Sequence, residues 1–392
     1  MQNTAPGFRA VLRQRSCSRL LIASVTGRMA LGMVPVALIL TAQRDGHNLA
    51  TASALAALYG LCPAVGLPLL GRLADLRGLP LPCYAGAALV TTALGTLALA
   101  GTSHLPLAVV CVVLAGAGCP PLEGALRSLW PTVLPDDAYV RTAYTLDSST
   151  QEIVYVAGPA LAIATATTLS PAAALALAAA LTLAGSLAFA TARPARTWRA
   201  APRQRDRLGV LRPPAMRPLL IALVFLGSTV GALDVAAIAV ATRQGASWLA
   251  GALPAAFSAA GLIGGVLFAR LKPTTAPVRQ HLLRLAAVFT AGWLPLLVPL
   301  PAPAVLALAL LPGAMFVPLL TVASLTVTRL APPGTSTEAV GWMSSAMRLG
   351  VAGGTALAGP LGGRFTLPLT AAAVCTLLLA PRTAPASTPA AA

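Results

Sequence analysis

Acid is scarce in this chain. Ten Asp and Glu stand against 27 Lys and Arg, and charged residues of both signs make up 9% of 392 positions. Soluble domains carry about 25% charged residues, so this chain cannot clothe itself in a polar surface. Aromatics are few, at 5%, and the three histidines (His47, His104, His281) lie far apart, which argues against a histidine metal site or catalytic cluster. The six cysteines (Cys17, Cys62, Cys83, Cys111, Cys119, Cys375) are scattered, mostly within apolar runs, with no CxxC spacing. They read as small apolar fillers, with neither a disulfide framework nor a metal site. A phosphate-cradling GxxxxGK[ST] is also absent. Neither an enzyme nor a bound cofactor is expected.

In place of charge there are long apolar runs. Hydrophobic residues make up 57% of the chain and the mean hydropathy is +0.80. Runs of about twenty apolar residues cross a ~30 Å hydrocarbon layer as helices. They occur near 20–42, 49–71, 80–101, 105–130, 142–166, 172–192, 218–242, 248–269, 283–300, 304–327, 339–361 and 366–381. The runs are apolar all round, unlike the alternating strands of a membrane barrel. The fold class is therefore an all-α integral membrane protein with twelve transmembrane helices in two six-helix halves. Residues 1–192 form the first bundle, 193–217 a linker and 218–392 the second bundle.

The basic residues decide orientation. With the N-terminus inside, inner segments hold 21 Lys and Arg, while outer loops hold only Arg44, Arg243 and Arg364. The positive-inside rule then places both termini in the cytoplasm of a cell membrane. The net charge of +17 sits largely in short loops, with eight arginines between 193 and 217. That distribution fits a tether near anionic headgroups better than a nucleic-acid surface. The bilayer is thus a partner, nucleic acid is not, and a monomer is expected.

Between the second and third runs lies "GRLADLRGLPLP" (71–82). Gly71, Leu73, Asp75, Arg77 and Gly78 resemble the G-x-L-a-D-r-x-G signature of the major facilitator superfamily, with Leu79 and Pro80 in place of its usual basic pair. The resemblance implies a twelve-helix alternating-access transporter in which this loop is a gate. Gly71 and Gly78 would allow close turns, and Asp75 would meet a helix N-terminus or a basic side chain of the opposing half. "DSSTQEIVYVAGPALA" (147–162) and "MSSAMRLGVAGGTALAGPLGG" (343–363) echo one another, as parallel repeats would. Gly158–Pro159 and Gly359–Pro360 are similar to the antiporter signature, although Val154 stands at its first glycine. Either they kink the helices or they pack them closely. The arginine of proton-coupled exporters is missing, with Val112 in its place. "LDSSTQE", "GPALA" and "TSTEAVGWMSSA" resemble a group of actinobacterial facilitators of the drug- and metabolite-exporter kind.

A charge at mid-bilayer costs about 2.5–3.5 kcal/mol on insertion scales, so each buried one needs water or a partner. Glu123, Asp147, Glu152 and Asp234 qualify, as do Arg28, Arg127 and Arg348. Glu123 and Arg127 stand four apart, acid first, as an intrahelical pair. Asp147 and Glu152 lie about 140° apart around a helix. Asp147, at a depth of ~8 Å, reads as a structural lock toward Arg127 or the loops, and Gln151 extends its face. Glu152, at ~15 Å, reads as a cavity residue for substrate or proton, or as the partner of Arg28. Asp234 is the second candidate proton site, and Arg348 a third cavity charge. Trp248, Trp293 and Trp342 read as interface anchors.

These residues point to proton-coupled export of small amphipathic molecules, an antiport efflux, with proton exchange at Glu152, Asp234 or both. Uptake of a small anionic metabolite on Arg28, Arg127 and Arg348 is the alternative. A non-transporting sensor or scaffold using the linker is the alternative of another class.

Overall fold

The computed structural model describes residues 7–202, 209–271, 277–361 and 363–379. The centre of the basic linker (203–208), Lys272 and Arg382 lie outside the described residues. All regular structure among the described residues is helical. The first half of the chain contributes α1 (Phe8–Leu12), α2 (Cys17–Arg28), α3 (Ala30–Arg44), α4 (Leu49–Leu61) and α5 (Pro63–Arg77). It continues with α6 (Pro80–Ala100), α7 (Leu105–Ala117), α8 (Leu122–Val133), α9 (Asp137–Thr168) and α10 (Pro171–Ala190). The short α11 (Arg193–Thr197) opens the linker. The second half contributes α12 (Met216–Gln244), α13 (Leu249–Arg270), α14 (Val278–Trp293), α15 (Ala302–Leu330), α16 (Ser336–Ala358) and α17 (Thr366–Leu379).

Eight helical stretches are long and apolar enough to cross a membrane: Cys17–Arg44, Leu49–Arg77, Pro80–Ala100, Leu105–Val133, Pro171–Ala190, Met216–Gln244, Leu249–Arg270 and Ala302–Leu330. Three of these are two helices in line, broken at Met29, at Cys62 and between Gly118 and Pro121. Proline has no N–H to continue the ladder, which accounts for the break before Pro63 and for the unwound turn at Pro120–Pro121. Pro131 instead sits inside a continuous α8. The remaining expected runs are also helical, as α9, α14, α16 and α17, but they are shorter or less uniformly apolar.

The apolar interior divides with the sequence. Two buried clusters draw their residues from positions 11–198, and a third runs from Val210 to Leu379. Trp293 belongs to that third cluster, fully buried with its ring 6.0 Å from both Phe257 and Phe289, so it is not an interface anchor. Trp248, by contrast, is exposed.

One seam joins the two halves closely. Gly71 of α5 lies against α16, where a Cβ would stand 2.8 Å from the Thr337 carbonyl oxygen. Gly341 of α16 answers it, with a Cβ position 2.7 Å from the Leu67 carbonyl. Ser345 donates to the Ala64 carbonyl at 2.6 Å, further along the same seam. Small residues here let two backbones touch.

Candidate functional site

The signature around Asp75 is helical. The sequence suggests a loop, but Gly71 to Arg77 complete α5, because Leu73, Ala74, Leu76 and Arg77 are good helix formers. Only Gly78 leaves the helix, at φ +91°, a conformation that suits glycine. Gly71 is thus a helix-contact residue, not a turn. Asp75 accepts hydrogen bonds from the backbone N–H groups of Thr337, at 3.1 Å, and Glu338, at 2.8 Å. These are unpaired donors in the first turn of α16, where the helix dipole favours a carboxylate. Arg77 is exposed beside this contact.

Further contacts between the halves gather at the same end of the molecule, the end that carries the linker. The Tyr144 hydroxyl donates to Thr328 at 3.3 Å, and Arg141 donates to the Leu271 carbonyl at 2.6 Å.

Above this end lies a chain of four charges, three of them buried and Glu123 partly so. Arg28, at the end of α2, donates to Asp147 Oδ1 at 2.6 Å and to Gln151 Oε1 at 2.9 Å. Arg127 of α8 donates to Asp147 Oδ2 at 2.7 Å and to Glu123 Oε1 at 2.9 Å. Asp147 and Gln151 sit one turn apart on α9, so one guanidinium can bridge both. The second half adds hydroxyls. Ser324 of α15 accepts from Arg127 at 3.1 Å, and Ser344 of α16 donates to Glu123 Oε2 at 3.1 Å. Two guanidiniums and two carboxylates leave this chain of charges neutral. In apolar surroundings that closure is what makes such burial tolerable.

Arg28 therefore goes to Asp147, not to Glu152. Asp147 is fully buried. α9 begins at Asp137, capped by the Asp136 side chain, which accepts from the N–H groups of Ala138 and Tyr139. Asp147 is thus ten residues into the helix, or ~15 Å along it.

Glu152 is buried near Ser258 of α13. No guanidinium pairs with it among the described residues. Arg348 of α16 likewise makes no ion pair or hydrogen bond among the described residues, and it lies near Tyr59, Tyr155, Cys119 and Glu123. A small cavity of about 20 Å³ touches Arg28, Glu123, Ser344 and Arg348 together. Asp234 stands on α12, exposed and without a polar partner among the described residues, apart from this cluster. Gly158 packs on Gly32 of α3, where a Cβ would come 2.8 Å from the Gly32 Cα. Pro159 sits within a continuous α9, so this pair marks a helix crossing. Gly359 caps the end of α16 with open space around it, and Pro360 follows in a turn. The sequence reading missed Ser258, Ser324 and Ser344. Serine is common inside membrane helices, and only the Ser344–Ser345 pair stood out, as part of a repeat.

Residues 20–387 match the Major Facilitator Superfamily, and the chain belongs to it. It is accordingly a multi-pass membrane protein of a transporter family. No curated protein sequence matches the chain. Among solved structures it is similar to the human organic anion transporter MFSD10 (TETRAN), with a TM-score of 0.68 and 16% identity over 93% of this chain and 98% of that one. It is also similar to a bacterial homologue of the iron transporter ferroportin in an outward-facing state. There the TM-score is 0.68 and the identity 15%, over 92% of this chain and 98% of that one. The same homologue with soaked iron gives a TM-score of 0.67 at 15% identity, over 92% and 98% of the two chains. At such identities the likeness carries the fold alone.

Proposed function

We propose that the chain is a proton-coupled exporter of small amphipathic molecules, drugs or secondary metabolites, of the actinobacterial facilitator kind. It crosses the cell membrane twelve times, as two six-helix bundles (1–192 and 218–392) joined by the cytoplasmic linker 193–217. It works as a monomer with both termini in the cytoplasm. The bundles rock about a midplane site. Closure of the α5–α16 seam at the linker end supports reading this conformation as closed to the cytoplasm, with Asp75 as its latch.

The observation that carries the reading is the isolation of Glu152. Arg28, Arg127, Asp147 and Glu123 satisfy one another. Glu152 is left buried at the boundary of the halves with only a hydroxyl for company. A carboxyl so placed can hold a proton in one state and release it when rocking admits water. Asp234, exposed on α12 and nearer the outer side, is the second candidate proton site. Small amphipathic substrates would sit beside Glu152 and Arg348.

The test is transport in proteoliposomes of ethidium and other fluorescent amphipathic drugs, with and without an imposed pH gradient. Movement that follows the gradient in the wild type and loses that dependence in Glu152→Gln supports the reading. Movement indifferent to the gradient, and to Glu152→Gln and Asp234→Asn together, sinks it.

A second reading, uptake of a small anion, is favoured by Arg348, a guanidinium near the central cavity with no carboxylate on it among the described residues. Accumulation of an anion in intact cells that Arg348→Gln abolishes would establish it.

A further inference from the structure

A second cavity stands apart from the central charges. It measures about 630 Å³ and lies at the linker end, bounded by α8 and α9 of the first half, α13–α15 of the second, and the linker from Trp198 to Ala201. That volume falls within the ~300–1,000 Å³ typical of small-molecule sites. Arg127 forms part of its wall, and no lining residue is shared with the Glu123–Arg348 cavity. The space is thus distinct from the central site.

Its walls are cationic and aromatic. Arg141, Arg199 and Arg329 line it, against one carboxylate among the described lining residues, Asp137, which stands 4.0 Å from Arg329. Arg141 and Arg199 have no carboxylate partner among the described residues. Arg141 donates to the Leu271 carbonyl, and Arg199 donates to the carbonyls of Trp198 and Arg196, at 2.7 and 3.0 Å. Main-chain carbonyls occupy some of their donors and leave their charge unneutralised. Aromatic faces complete the lining. The Arg141 guanidinium lies 5.5 Å from the Phe268 ring centroid, and Phe268 stacks on His281 with centroids 5.9 Å apart and planes 19° from parallel. His281 Nε2 is buried with no hydrogen-bond partner among the described residues. Trp198 supplies a third ring. The linker holds it there, since Ala195 and Trp198 are packed into the first-half core.

Guanidiniums in excess of carboxylates select an anionic group, which their forked donors bind in pairs. Flat aromatic walls select a planar apolar body beside it. We propose that this cavity is a second ligand site, separate from the transport site, for a soluble organic anion: a carboxylate, sulfonate or phosphate on an aromatic body. Both halves and the linker form its walls, so an occupant stabilises the closed linker end in proportion to its preference for that state.

The test uses the full chain in phosphatidylcholine nanodiscs, with naphthalene-2-sulfonate as probe and calorimetry as readout, corrected for empty discs. Saturable binding is expected, with affinity at least tenfold weaker in the Arg141→Gln/Arg199→Gln double variant. Naphthalene-2-sulfonamide, the neutral analogue, should also bind at least tenfold more weakly. Arg199→Gln alone guards against a folding defect, because Arg199 bonds only nearby main-chain carbonyls, and at least threefold weakening is expected there. Equal affinity in wild type and Arg199→Gln, or for the sulfonate and the sulfonamide, would overturn the proposal. So would competition by inorganic phosphate as strong as by the sulfonate itself, which would show that charge alone is read. Displacement of the probe by 20 mol% phosphatidylglycerol in the discs would assign the cavity to a lipid headgroup, and that too overturns it. Binding is measured without transport, so failure of the exporter reading leaves this result standing.

Discussion

Asp147 takes one guanidinium on each oxygen, Arg28 at 2.6 Å and Arg127 at 2.7 Å, so a single carboxylate holds α2, α8 and α9 together. Its loss would leave two arginines facing each other with no charge between them. Breaking a buried pair by removing one partner costs about 3–5 kcal/mol. Asp147→Asn is therefore expected to lower the thermal unfolding midpoint of the purified protein sharply. Adding Arg28→Gln should recover part of the loss, because it removes the stranded charge. Midpoints for the two changes that simply add would show that the residues do not interact.

Asp75 acts across the halves, where Asp147 acts mainly within one. Asp75→Ala removes two charge-assisted hydrogen bonds to the start of α16. A loss on the order of 2 kcal/mol changes the ratio of closed to open linker ends about thirtyfold. Spin labels at Leu76 and Arg329, both exposed, report the opening. The distance distribution of Asp75→Ala is expected to gain a longer component absent from the wild type. An unchanged distribution would mean that the seam closes without its latch.

Backbone contact makes the same seam sensitive to a single methyl group. At Gly71 a Cβ would meet the Thr337 carbonyl at 2.8 Å and the Glu338 Cα at 3.0 Å, and neither atom is the tip of a flexible side chain. Gly71→Ala is expected to open the linker end much as Asp75→Ala does. Gly95 of α6 has open space around it and serves as the control. Gly95→Ala should be neutral or stabilising by up to ~1 kcal/mol, as alanine in place of glycine within a helix usually is. Equal behaviour of the two alanine variants would rule out close packing as the role of Gly71.

Much of this was legible in the sequence, for physical reasons that also mark where legibility ends. Arg28, Glu123, Arg127, Asp147, Glu152, Asp234 and Arg348 stand out because a charge within an apolar run is costly anywhere. Helical angles alone separate Asp147 from Glu152, and the two do meet different neighbours. The partner of Arg28 was not legible. Asp147 lies 119 residues away from it, and which faces of α2 and α9 meet depends on how closely they cross. The Gly32–Gly158 contact that sets the neighbouring α3–α9 crossing pairs two glycines in runs full of small residues. The start of α9 was not legible for a simpler reason. Counting apolar residues starts α9 at 142, whereas its cap is the polar pair Asp136–Asp137, outside the apolar run. The signature at Asp75 was legible as a motif but not as a helix end, because the composition of a short polar segment suits either.

The two acids of α9 differ in what their loss removes. Glu152 has no guanidinium on it among the described residues, so neutralising it breaks no ion pair. Gln in its place keeps the size of the side chain and one carbonyl oxygen. Glu152→Gln is therefore expected to unfold within ~1 kcal/mol of the wild type, or to be somewhat more stable, since a buried amide costs less to desolvate than a charge. Its transport should nonetheless lose its dependence on the pH gradient. Asp147→Asn should do the reverse, losing stability first and activity only as a consequence. Unfolding midpoints and gradient-dependent flux, measured on the same two preparations, place each acid. A Glu152→Gln protein as unstable as Asp147→Asn would make Glu152 part of the structural charge chain and remove it from the transport site.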